Sequence, residues 1–174
     1  VRAFSRRGHR ADATFSAIFE ADEAGMLRAL AEQITDLLDE RDNLHPNPAV
    51  ARLLPDAYPE DAEASAEFRR FTADGLAERK MRNARVLADS VAIVADSPAA
   101  GDGETATEVV LNAQEAQAWI RSLTDIRLTI ATQLGIETDD DLPKGQPELL
   151  DLYDWLGFVQ SSLVDELMSD ELMS

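Results

Sequence analysis

The chain reads as a mainly α-helical single domain, bundle-like with five or six helices, carrying a minimal two-stranded β-sheet. Three observations lead there. The run from Asn112 to Gly135 is a complete amphipathic helix with both ends marked. Most other stretches space their apolar residues at helical intervals, whereas only two short segments suit a half-buried strand. At 174 residues the length fits one domain, which would bury about 70% of its unfolded surface.

Taken in order, residues 1–12 carry Arg2, Arg6, Arg7 and Arg10 around Gly8 and are expected to form a basic flexible arm. Phe15, Ala17 and Phe19 alternate across Thr14 to Phe19, the pattern of a short strand. Asp22 then caps a helix to about Asp42 whose apolar stripe is Leu27, Leu30, Ile34, Leu37 and Leu38. The segment His45-Pro46-Asn47-Pro48 breaks it, and Pro48 opens a short helix through Leu53. Pro55 and Pro59 bracket a turn around Tyr58.

A helix follows from about Glu60 to Phe71 on Ala64, Phe68 and Phe71, and after a bend at Thr72, Asp74 and Gly75 another runs from Leu76 to about Val94. Residues 95–107, with Pro98, Gly101 and Gly103 and no apolar period, read as a flexible loop. Val109 and Leu111 make the second strand. Asn112 and Glu115 then form a capping box for the helix of Ala116, Trp119, Ile120, Leu123, Ile126, Ile130 and Leu134, which Gly135 ends. After Asp139-Asp140-Asp141, Pro147 opens a last helix with Leu149, Leu150, Tyr153, Leu156, Val159, Leu163 and Leu167. The domain proper spans 13–168, and residues 169–174, part of an exact Asp-Glu-Leu-Met-Ser duplication, form a frayed tail. Both strands feed directly into capped helices, which suggests that the strands pair and the helices pack side by side.

Composition bounds the function. The chain has no cysteine, so disulfides, thiolate metal sites and cysteine nucleophiles are excluded. No apolar run approaches the roughly 20 residues of a membrane span, and a cytoplasmic protein is expected. The net charge is −18, from 16 basic and 34 acidic residues. Such a body repels phosphate backbones and anionic membranes at long range.

Candidate chemistry is sparse. Di-iron bundles need paired Glu-x-x-His motifs; here Asp42 and His45 have the spacing, His9 lies in the arm, and no second motif exists. Asp36, Asp39 and Glu40 lie close on one helix and could offer magnesium two carboxylates, although such residues normally face water. No Gly-x-Ser-x-Gly elbow or phosphate-cradling glycine loop is present. No catalytic residue, cofactor site or metal ligand is assigned.

Two polar features remain. Arg79, Arg82 and Arg85 step by three along one helix, with Lys80 beside them and Arg69 and Arg70 one element earlier. With Glu78 and Asp89 close by, the leading reading is structural, a set of cations paired with neighbouring acids; a dock for an acidic partner or a nucleic-acid contact is the alternative. Asp125 and Arg127 interrupt the apolar rows beside Ile126, where unpaired charge is costly. They read as a structural polar pair, tying the helix to a neighbour, with a ligand pocket as the sharper alternative.

The segments Ala51-Arg-Leu-Leu-Pro-Asp-Ala-Tyr58, Glu67-Phe-Arg-Arg70 with Lys80, and Trp119-Ile-Arg-Ser-Leu-Thr-Asp-Ile-Arg-Leu128 ahead of Leu134-Gly135 resemble an uncharacterised actinobacterial family, domain of unknown function two-zero-one-seven. The likeness covers nearly the whole chain. It implies an actinobacterial cytoplasmic protein, often encoded beside a Clp-protease adaptor, with some members labelled as transcriptional regulators. It supplies no functional residue. The leading expectation is a non-enzymatic protein-interaction module linked to protein quality control, with an unknown protein partner and self-association through the last helix as one form. The alternative is a transcription regulator binding DNA through the arm and the Arg79–Arg85 face, although nucleic acid is disfavoured by the charge. A carboxylate-based metal-dependent enzyme comes third.

Overall fold

The computed structural model describes residues 2–8, 12–41, 47–55, 60–68, 72–96, 106–138 and 146–169. Several expectations fall outside them: His9 and Arg10, the Asp42–His45 pair, the turn at Tyr58, Arg69, Arg70 and Phe71, most of the 95–107 loop, the Asp139–Asp141 turn and the last five residues.

Three strands and six helices are described: β1 (Ser5–Arg7), β2 (Thr14–Phe19), α1 (Ala21–Asp39), α2 (Pro48–Leu53), α3 (Ala62–Phe68), α4 (Asp74–Ala95), β3 (Thr107–Asn112), α5 (Ala113–Leu134) and α6 (Pro147–Met168). The chain is thus mainly α with a small antiparallel sheet. The sheet has three strands, in the order β1-β2-β3, rather than the expected two. Part of the presumed free arm is the added strand, with Ser5 opposite Ser16 and Arg7 opposite Thr14. The physical reason is Phe4. Its ring is buried edge-on against Trp119 at 5.7 Å and Phe19 at 6.1 Å, and its N–H donates to Ser162 Oγ at 3.3 Å. Gly8, at φ 82°, makes the turn between β1 and β2; a Cβ there would sit 2.8 Å from the Asp12 carbonyl oxygen.

β2 pairs antiparallel with β3, Phe15 opposite Leu111 and Ala17 opposite Val109, so both strands turn these residues into the core. The helices after them differ from the expected side-by-side arrangement. α1 packs chiefly on α4, and ion pairs bracket both ends of that antiparallel pair: Arg28 with Asp96 at 2.8 Å, and Arg41 with Asp74 at 2.8 Å. The start of α1 is set by Glu20 rather than Asp22, with the Glu20 N–H donating to Glu23 Oε2 at 2.9 Å.

α5 is the hub. It touches α4, α6, α2, α1, β2 and β3, and buries Trp119, Leu123, Ile126 and Leu134. Asn112 Oδ1 accepts from the Gln114 and Glu115 N–H groups at 2.9 Å, and Glu115 Oε2 accepts from the Asn112 N–H at 2.8 Å. Those bonds satisfy donors that the first turn would leave open. At the other end Gly135 adopts φ 69°, the Gly135 N–H donates to the Thr132 carbonyl at 3.2 Å, and the Ile136 N–H donates to the Ala131 carbonyl at 2.9 Å. This is the paired closure of a Schellman end. Arg52 of α2 donates to the Ile136 carbonyl at 2.9 Å, pinning the short helix to that end.

Candidate functional site: a basic groove between two helices

Leu76, Arg79, Lys80 and Asn83 recur along α4 in steps of three and four residues, as Arg121, Thr124 and Asp125 do along α5. Such steps place side chains on one helix face. Together with Arg82, the two rows line an open groove of about 550 Å³. Four cations and one carboxylate leave a surplus of three positive charges there, on a chain of net charge −18.

The floor of the groove is an ion pair. Asp125 is 4% exposed, and Lys80 Nζ donates to its Oδ1 at 2.5 Å. Burial pushes the Asp125 carboxyl above the ordinary aspartate range, and the hydrogen bond and charge of Lys80 offset that rise only in part. The Asp125 carbonyl also accepts from Thr129 Oγ1 at 3.0 Å within the helix. Lys80 is therefore committed to holding α4 against α5, and the free donors of the groove are Arg79, Arg82 and Arg121. No ion pair engages those three among the described residues.

Asp125 and Arg127 do not pair with each other, because residues two apart on a helix project to different sides. Arg127 instead reaches α6. Its guanidinium lies 4.4 Å from the centre of the Tyr153 ring, and Nη1 donates to Gln160 Oε1 at 3.0 Å. Gln160 Nε2 in turn donates to Thr124 Oγ1 at 2.7 Å and to the Ile120 carbonyl at 3.1 Å. Through Thr124, the groove wall is thus linked to the last helix.

Of the five arginines singled out by sequence, Arg79 and Arg82 line the groove. Arg85 is exposed on the same helix beyond it, and Arg69 and Arg70 lie outside the described residues. Sequence reading missed Arg121, whose signal was its place four residues before Asp125 on the same face. Asp36, Asp39 and Glu40 are all exposed, and among the described residues no group of three or more His, Cys, Asp or Glu is placed to hold a metal ion. α6 buries Leu156, Val159 and Leu163 but leaves Phe158 and Met168 about half exposed, at 49% and 51%. No helix among the described residues is long and apolar enough to cross a membrane.

The profile of the family described as domain of unknown function (DUF2017) matches residues 1–167. The chain belongs to the DUF2017 family. Its relatives include the proteins named oxidative stress regulator AosR of Mycobacterium tuberculosis and of Mycobacterium bovis. Each is 27% identical over 204 residues, covering 97% of this chain and 88% of the relative. A Mycobacterium leprae protein is 25% identical over 191 residues, covering 89% of this chain and 83% of its own length. No solved structure matches the chain. This DUF2017 member therefore has actinobacterial relatives along nearly its full length, and the groove, α5 and the sheet all lie inside the matched region.

Proposed function

We propose that this DUF2017 protein is a non-enzymatic regulator that acts by binding another protein, within the response to oxidative stress. The observation that carries the reading is the near full-length similarity to mycobacterial proteins named oxidative stress regulators. The chemistry of the chain supports a binding role. With no cysteine, it has no thiol to carry an oxidant signal as sulfenic acid or disulfide. A link to protein quality control is the narrower form of the same reading.

The test is deletion of the gene in its native host, with transcripts measured before and after peroxide and again after complementation. The reading requires a changed transcript response that the complementing copy restores. An unchanged response would overturn it.

A second reading has one specific observation behind it. Arg79, Arg82 and Arg85 are all exposed on α4, where a DNA backbone could reach them. A DNA-binding regulator would give an affinity falling steeply with salt. Absence of any mobility shift on a library of host promoters at low salt would remove it.

A further inference from the structure

We infer that the groove between α4 and α5 is a docking site for an acidic segment of a partner protein, with Arg79, Arg82 and Arg121 as its carboxylate-binding residues. The inference deepens the proposed function and rests on it for the identity of the site as a protein-binding one.

Most described arginines outside the groove have a partner, although Arg2 and Arg85 form no ion pair among the described residues. Arg7 meets Glu108 at 3.4 Å, Arg28 meets Glu32 and Asp96, Arg41 meets Asp74, and Arg52 and Arg127 donate to neutral oxygens. The chain has more than two acidic residues for each basic one, so acceptors are plentiful. Even so, no carboxylate among the described residues comes within 4 Å of the three groove arginines to form an ion pair. The one acid of the groove, Asp125, is already neutralised by Lys80. Three guanidinium groups thus line one concavity with no ion-pair partner among the described residues.

The chemistry of the three side chains fits a carboxylate ligand. A guanidinium presents a planar fork of N–H donors that matches a carboxylate two bonds at a time. The two helices fix their spacing, because the Lys80–Asp125 pair joins the walls beneath them. Long-range repulsion by the acidic body disfavours a nucleic-acid polymer, which would extend far beyond the local positive surplus. A short acidic segment places its charge inside the groove and the rest of its chain away from the surface. The open volume of about 550 Å³ suits several side chains of such a segment.

The experiment is a titration of the full chain with a short fluorescein-labelled peptide rich in Asp and Glu, read by anisotropy at low salt. The same peptide with Gln and Asn in place of the acids, duplex DNA and inorganic phosphate serve as comparison arms. The expected result is saturable binding of the acidic peptide alone. Arg79→Glu, Arg82→Glu and Arg121→Glu together should weaken it by roughly tenfold or more, while Arg85→Glu, outside the groove, leaves it close to wild type. Should the triple reversal fail to fold, the Arg→Gln set replaces it, with far-ultraviolet circular dichroism as the check. No binding by the wild type, equal binding by the triple variant, or tighter binding of DNA or phosphate would each overturn the proposal. Peptide binding is read without reference to transcripts. Failure here therefore leaves the regulatory reading intact, and failure of the deletion experiment leaves the dock intact.

Discussion

Lys80 and Asp125 stand 45 residues apart in sequence and meet at 2.5 Å across the seam of α4 and α5. The acid side chain is 5% exposed and the lysine 20%. A charge so deeply buried is tolerated only while its partner stays, since desolvation costs several kcal/mol and the pairing offsets it.

Removing the lysine alone exposes that cost. Lys80→Met should destabilise the fold by about 3 kcal/mol near neutral pH, and Asp125→Asn by less, because an amide oxygen still accepts from Lys80. The double variant should lose less than the two single changes together, a coupling that urea unfolding of all four proteins measures.

The pair also sets a pH dependence. Asp125 is raised above its ordinary value by burial, so its contribution to stability is fully present below the ordinary aspartate pKa of about 3.9. That contribution is lost as pH rises through the raised folded value. Between these limits, stability of the wild type should fall with rising pH more steeply than that of Asp125→Asn. The penalty of Lys80→Met should shrink toward acid pH, where protonation removes the unpaired charge. Thermal unfolding followed from below the ordinary aspartate pKa up through neutrality checks both.

Two glycines inside helices should respond differently. Around Gly25 in α1, nothing lies within 4 Å of an added Cβ, so Gly25→Ala should stabilise by roughly 0.5–1 kcal/mol through helix propensity. At Gly157 in α6, an added Cβ would sit 3.3 Å from Arg127 Nη2. That guanidinium is held by Tyr153 and Gln160, so Gly157→Ala should gain nothing, or lose stability as the contact is forced apart. Denaturant midpoints of the two variants settle the contrast.

The ends of α5 offer a local test. Asn112→Ala removes the acceptor of two N–H groups and should cost about 1 kcal/mol. Gly135→Ala forces a side chain into the left-handed region and should cost about 1–2 kcal/mol. Neither residue lines the groove, so both variants should retain peptide binding once folded.

These local features are also the ones that sequence made legible. A capping box, a terminal glycine and a helical apolar stripe are written within a few residues of one another, which is why α5 and the start of α2 were readable. β1 was not. Its residues are two arginines and a serine, and the feature that holds it is Phe4 against Trp119 and Phe19, a contact made only after folding. Charge on an outer strand also discourages pairing with other molecules, which hides the strand from a search for apolar alternation.

The groove was half legible for a similar reason. Arg79 and Arg82 announced themselves by their spacing on an acidic chain. Their partner wall did not, because periodicity shows which face of a helix is polar but not which helix it meets. Asp125 was recognisable as a charge in an apolar row, and its neighbour was not. The resemblance carried by the Leu-Leu-Pro-Asp-Ala-Tyr segment gave the family, which the match over residues 1–167 shows.

If the groove carries the regulation, loss of its three arginines should be equivalent to loss of the gene. The most direct measurement replaces the chromosomal gene with the Arg79→Glu, Arg82→Glu, Arg121→Glu allele, confirms that the protein accumulates, and records the transcript response to peroxide beside wild type and deletion. The allele should reproduce the deletion. A response equal to wild type, with the variant present at normal level, would contradict it.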